Sequence, residues 1–318
     1  MKIHYRIQGK EIEIVRCFGT DRSVRVPEAI DGMPVTKVSA YAFSARKDRE
    51  EKDIFLCESE EAVLSGQEEH LLAGWEIEEV RLPDTLKEIG NYIFYGCKKL
   101  RQLEFSDSLT QIGSGAFTGC SGLKELHVHM LAGEKSCVKE ILGDLWQRID
   151  VTFTHADGQE IQLVFPEHYE EAVENTPARI LFTQHHGSGN NYRQCFYNRE
   201  LDCRKYDELF SVAKAQDKTD VLSDLVFKRL RYPAELTKSA CESYEQFVRD
   251  RQTDILVYLV KKEKMEELKE MSRRKLWTEE GLETGIKTAA EQQNTEFLSF
   301  LMNEKHKSFP EKKKKFVL

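Results

Sequence analysis

Apolar residues recur along the first part of the chain at fixed offsets, and the offsets repeat every 23 residues. Val80-Arg-Leu-Pro-Asp-Thr-Leu86 aligns without a gap on Leu103-Glu-Phe-Ser-Asp-Ser-Leu109. The match continues with Ile89-Gly90 on Ile112-Gly113, Phe94 on Phe117, Gly96-Cys97 on Gly119-Cys120 and Leu100 on Leu123. A further copy opens at Leu126-His-Val128, and an earlier one at Val24-Arg-Val-Pro27, continued by Val35-Thr-Lys-Val38 and Ala42-Phe43. Each copy begins with the alternation of a half-buried strand. If Val80, Leu82, Leu103 and Phe105 point inward, the residues between them point outward. The outward positions then form two rows, Arg81, Glu104 and His127 in one and Glu79, Gln102 and Glu125 in the next. One copy cannot make a core alone; stacked copies share a continuous one.

A 23-residue period lies in the range of leucine-rich repeats. Ile89-Gly90-Asn-Tyr-Ile-Phe94-Tyr-Gly-Cys97 and Ile112-Gly113-Ser-Gly-Ala-Phe117-Thr-Gly-Cys120 resemble the BspA-like leucine-rich-repeat family over about residues 24–128. The resemblance implies a solenoid, although family arrays are usually longer. Many members are surface-exposed, so a cell-surface adhesin whose leader is absent is one reading. An acidic insertion, about residues 46–75, separates the first copy from the others.

The texture changes beyond Met130. Ile149–Thr154 and Gln159–Phe165 flank Ala156-Asp-Gly158, which predicts a β-hairpin that caps the solenoid. Glu167–Asn175 reads as a short helix. From about Leu201 the pattern is helical and repeats again, with Thr219-Asp-Val-Leu-Ser-Asp-Leu-Val226 matching Thr253-Asp-Ile-Leu-Val-Tyr-Leu-Val260 and Thr295-Glu-Phe-Leu-Ser-Phe-Leu-Met302 at spacings of 34 and 42. The threonines are expected as N-caps, and leucines three apart share a face. Ala289–Met302 resembles the helix, turn and helix of an ankyrin unit, with Gln293 where that family usually has glycine. A generic helical hairpin fits as well.

The expected organisation is therefore an α+β tandem-repeat solenoid. Leucine-rich repeats occupy 1–148, a β-hairpin junction 149–200, an α-helical hairpin array 201–310 and a basic tail 311–318. A 32% charged composition suits an elongated protein, and a net charge of -8 argues against a dedicated nucleic-acid binder. No stretch approaches the roughly 20 apolar residues of a membrane span, and the first residues lack a signal-peptide core. The chain reads as cytoplasmic. Eight cysteines include no Cys-x-x-Cys pair, and Cys97 and Cys120 recur at one repeat position. Reduced, buried thiols are expected rather than a disulfide framework.

The chain carries no Gly-x-Ser-x-Gly elbow, Walker loop or His-Glu-x-x-His helix. No catalytic residue, cofactor or metal is assigned; His127 and His129 share a strand face but lack a third ligand. The expected function is non-enzymatic recognition of another protein through the two outward rows, with no nucleic acid as partner and no membrane span. The alternative is a small-ligand sensor or enzyme with its site at the inter-domain junction near residues 185–199. There His185, His186, Asn190, Asn191 and Arg193 offer imidazoles, backbone amides and a cation. The plain reading of that segment is a Gly/Asn-rich connection.

Overall fold

The computed structural model describes residues 1–46, 53–58, 70–175 and 180–310. The expected basic tail and most of the acidic insertion lie outside those residues. Two compact units result, Met1–Leu209 and Phe210–Leu318.

The first unit opens with an antiparallel hairpin, β1 (Lys2–Gln8) and β2 (Glu11–Gly19). After β3 (Ser23–Arg25) comes a tight hairpin of β4 (Ala29–Ile30) and β5 (Met33–Val38). From the insertion, β6 (Phe55–Glu58) joins β1 and β7 (His70–Leu71) joins β2. The coils then follow as β8 (Glu79–Arg81), β9 (Glu88–Ile89), β10 (Gln102–Ser106), β11 (Gln111–Ile112), β12 (Glu125–Met130) and β13 (Ile149–His155), and β14 (Glu160–Phe165) closes the series.

One six-stranded sheet runs β14-β13-β12-β10-β8-β3, parallel except for the β13–β14 hairpin. Val24, Val80, Leu103, Leu126 and Val151 lie in register across it and are all buried. That row is the repeat pattern made physical. The expected capping hairpin forms, but β13 is also the fifth parallel strand, 25 residues after its predecessor instead of 23. Opposite this sheet, β2, β5, β9 and β11 pair in parallel. Between the sheets Phe43, Phe94 and Phe117 stack at 5.4 Å from ring to ring, one per coil. Cys97 and Cys120 lie in the same core, each sulfur 3.2 Å from the preceding coil's carbonyl, at Phe43 and Phe94. Burial pushes the Cys97 thiol up to about 12 and Cys120 in the same direction, so neither ionises at neutral pH.

Helix α1 (Val138–Gly143) leads into β13, and β15 (Tyr169–Asn175) pairs antiparallel with β16 (Ile180–His186). The helix expected at Glu167–Asn175 is therefore a strand. Local helix preference of Tyr-Glu-Glu-Ala-Val-Glu yields to a partner strand the local pattern does not reveal. The unit ends with α2 (Gly189–Tyr192), the two-residue strands β17 (Phe196–Tyr197) and β18 (Glu200–Leu201), and α3 (Cys203–Glu208). Tyr206 on α3 protects the sheet edge: its hydroxyl donates to Val164 O at 2.6 Å and accepts from Val164 N at 3.0 Å. A buried polar edge is thereby satisfied by a side chain where no further strand follows.

The second unit is helical: α4 (Phe210–Gln216), α5 (Thr219–Arg231), α6 (Lys238–Asp250), α7 (Gln252–Lys261), α8 (Met265–Arg273), α9 (Glu279–Glu291) and α10 (Thr295–Ser308). The repeated leucines do face inward, with Leu222, Leu225, Leu256, Leu259 and Leu301 buried. The expected threonine caps do not form. Thr219 and Thr295 are first helical residues and Thr253 lies one further in. The side-chain caps are Thr237, Thr278 and Asn294, accepting from Ala240 N, Gly281 N and Phe297 N. The repeat reflects the buried helix face, whereas a cap depends on where the preceding turn releases the chain. Gly281 and Gly285 let α9 lie against Gln252 and Leu256 of α7. Glu263 and Gln293, at φ 53 and 55, turn the chain between α7 and α8 and between α9 and α10.

Candidate functional site: the outward strand face

Parallel strands about 4.8 Å apart carry a residue's register from coil to coil. Arg25, Arg81, Glu104, His127 and Thr152 consequently form one outward row, and Ser23, Glu79, Gln102, Glu125 and Asp150 the next. The structure thus brings together all six predicted face residues and extends both rows by one strand at each end. Arg25 was legible in the Val24-Arg-Val-Pro27 copy. Asp150 and Thr152 were hidden because the lengthened step to β13 breaks the period.

The rows are laced with ion pairs. Arg81 Nε lies 3.2 Å from Glu104 Oε1, and the same oxygen lies 2.8 Å from His129 Nε2. His127 Nε2 is 3.5 Å from Glu125, and Arg101 reaches Glu78 at 2.9 Å and Glu79 at 3.5 Å. Arg148 grips Asp150 with two hydrogen bonds of 2.8 and 3.0 Å. Pairs this exposed each contribute little to stability. Their effect is to hold long side chains in defined positions on a rigid sheet. Charge is mixed along the face: Arg22, Arg25, Arg81 and Arg101 lie with Glu78 and Glu79 toward one end, and Lys124 and Arg148 lie with Glu125, Asp150 and Glu160 toward the other.

The alternative loop has a different character. His185 and His186 end β16 and sit beside Glu170 at 3.4 Å and Glu171 at 3.2 Å, with His186 stacked on Tyr169. Asn190 and Asn191 are exposed. Arg193 turns inward, donating from Nε to Leu142 O and Leu145 O, from Nη1 to Pro166 O and Gly189 O, and from Nη2 to Gln147 O. Burial pulls its guanidinium down to about 10, which leaves it charged at neutral pH. The segment lies wholly within the first unit, and Arg193 serves as an internal staple.

Beside this staple, His168 donates its backbone N–H to Trp146 O, while its Nδ1 is buried without a partner. Burial first, then the nearby Arg193 charge, lower its pKa below the ordinary histidine value. The native state therefore favours neutral imidazole, and the unfolded chain binds the extra proton. That contribution to stability is complete above about pH 6.5, the unfolded value, and declines as pH falls below it. The expected result is a lower urea midpoint at about pH 5.5 than at about pH 7, with a shallower decline in His168→Gln. Equal declines in both proteins would assign the effect elsewhere.

Residues 68–136 match the family described as BspA type leucine rich repeat region, in 6 copies. No curated protein matches the chain. Among solved structures, the crystal structure of a T. pallidum leucine rich repeat protein matches at 20% identity over 42% of this chain and 74% of that one, with a TM-score of 0.23. Among the described residues, no helix is long and apolar enough to cross a membrane.

Proposed function

We propose that this protein is a non-enzymatic recognition module that binds a partner protein across its outward strand face, a reading supported by the match of residues 68–136 to BspA-type leucine-rich repeats. The observation carrying the proposal is the register: two rows of polar side chains, fixed by five parallel strands, display a preorganised surface. A rigid display lowers the ordering cost of association, and a few central residues supply most of the affinity. Mixed charge along the rows favours a protein surface over a uniformly anionic nucleic acid. The junction-loop reading loses support because Arg193 is engaged by five carbonyls and both histidines are paired.

The test is capture of partners from the source cell's lysate on the native chain and on the triple variant Arg81→Glu, Glu104→Lys, His127→Glu. The first two changes exchange the signs of an ion pair, so folding is expected to be preserved, with an unchanged melting curve as the control. A partner bound by the native chain is expected to bind the variant at least about thirtyfold more weakly, the loss of a roughly 2 kcal/mol hot spot. Undiminished binding by the folded variant would refute the strand-face reading.

A further inference from the structure

At the entry end of β12 and β13, on the rim of the strand face, lies a cavity of about 420 Å³ lined by Lys124, Glu125, Gln147, Arg148, Asp150 and Glu167. Two of its walls are already fixed. Gln147 Nε2 donates to Cys120 O at 2.9 Å and Leu123 O at 3.3 Å, and Arg148 is held by both oxygens of Asp150. A cavity whose walls are ordered beforehand binds without the entropy cost of assembling them.

The charge of the cavity follows from those contacts. Asp150 neutralises Arg148, leaving Glu125 and Glu167 against the single ammonium of Lys124. On the neighbouring strand Glu160 adds a further carboxylate, held by Gln162, while Glu104 is taken up by Arg81 and His129. An anion entering here meets this negative field and finds Arg148 already engaged. A cation gains from two carboxylates, and a guanidinium offers them a planar fork of donors. Glu125 belongs both to the cavity and to the second outward row, so the two are continuous.

We propose that this cavity is the anchor of the strand face and takes a basic side chain, arginine or lysine, of the bound protein. The inference rests on the strand-face reading and adds the chemistry of the residue that docks.

The test uses the full chain, labelled with ¹⁵N, titrated with acetyl-arginine amide, acetyl-lysine amide or acetyl-glutamate amide. The basic probes are expected to give saturable shifts at the amides of Lys124, Glu125, Gln147, Arg148 and Asp150, and the acidic probe none. A larger response to one basic probe identifies which side chain the cavity prefers. In the variant Glu125→Gln, Glu167→Gln the apparent Kd is expected to rise at least about tenfold, while an unchanged amide spectrum elsewhere shows that the fold is kept. Absence of saturable shifts with both basic probes, equal shifts with the acidic one, or an unchanged Kd in the variant overturns the proposal. If that happens while the Arg81, Glu104, His127 variant still loses its partner, the strand face stands and the anchor alone falls. If the triple variant keeps its partner, the anchor falls with the face it was to serve.

Discussion

Gly113→Ala is expected to destabilise the first unit by about 3 kcal/mol or more, at the severe end of overpacking. A Cβ at Gly113 would lie 2.3 Å from Asn91 N and from Gly90 C, and one at Gly90 would lie 2.2 Å from Ala40 N. These obstacles are backbone atoms of the preceding coil, which cannot swing aside without opening the hydrogen bonds Gly113 N to Ile89 O and Gly90 N to Val38 O. Gly96→Ala is the contrast. Gly96 has φ 77 and open space around its missing Cβ, so only the left-handed conformation resists, at roughly 1 kcal/mol. The first coil shows why the two cases differ. Ser39 stands at the repeat position of Gly90 and reaches Glu13 of β2, because a strand hairpin and not another coil precedes it. Urea denaturation of both variants checks the prediction; losses of similar size would show that coil spacing does not set the requirement.

Arg193→Met is expected to cost about 3 kcal/mol or more, because several buried carbonyls lose their donor together. The guanidinium gathers the carbonyls of Leu142, Leu145, Gln147, Pro166 and Gly189, tying α1 and the turn after it to the connection between β14 and β15 and to the start of α2. Arg193→Lys is expected to recover only part of the loss, since one ammonium cannot reproduce the planar spread of donors. Denaturant midpoints of the three proteins measure this, and limited proteolysis is expected to cut Arg193→Met first between β14 and α2. A methionine variant as stable as the native chain would show that those carbonyls find other donors.

The repeat and its two outward rows were legible because they depend on local rules. Strand alternation has a period of two, and stacking carries it from coil to coil, so Val80, Leu103 and Leu126 announce Arg81, Glu104 and His127 as neighbours. The inward helix face was legible for the same reason, through Leu222, Leu256 and their equivalents. The helix starts were not, since Thr237, Thr278 and Asn294 cap from positions outside the Thr-acid-apolar-Leu match.

Taken alone, the sequence determined a leucine-rich solenoid followed by helical hairpins, the identity of the core rows and the composition of the outward ones. Tertiary structure decided that Ile149–His155 is a fifth coil, that Tyr169–Asn175 is a strand, that Arg193 is a staple and that Glu125, Arg148 and Glu167 surround one cavity. Periodicity reports a residue's relation to its own repeat. Pairings such as Glu170 with His185, or Arg193 with Leu142, join residues far apart in sequence and without a period, so they exist only once the chain has folded.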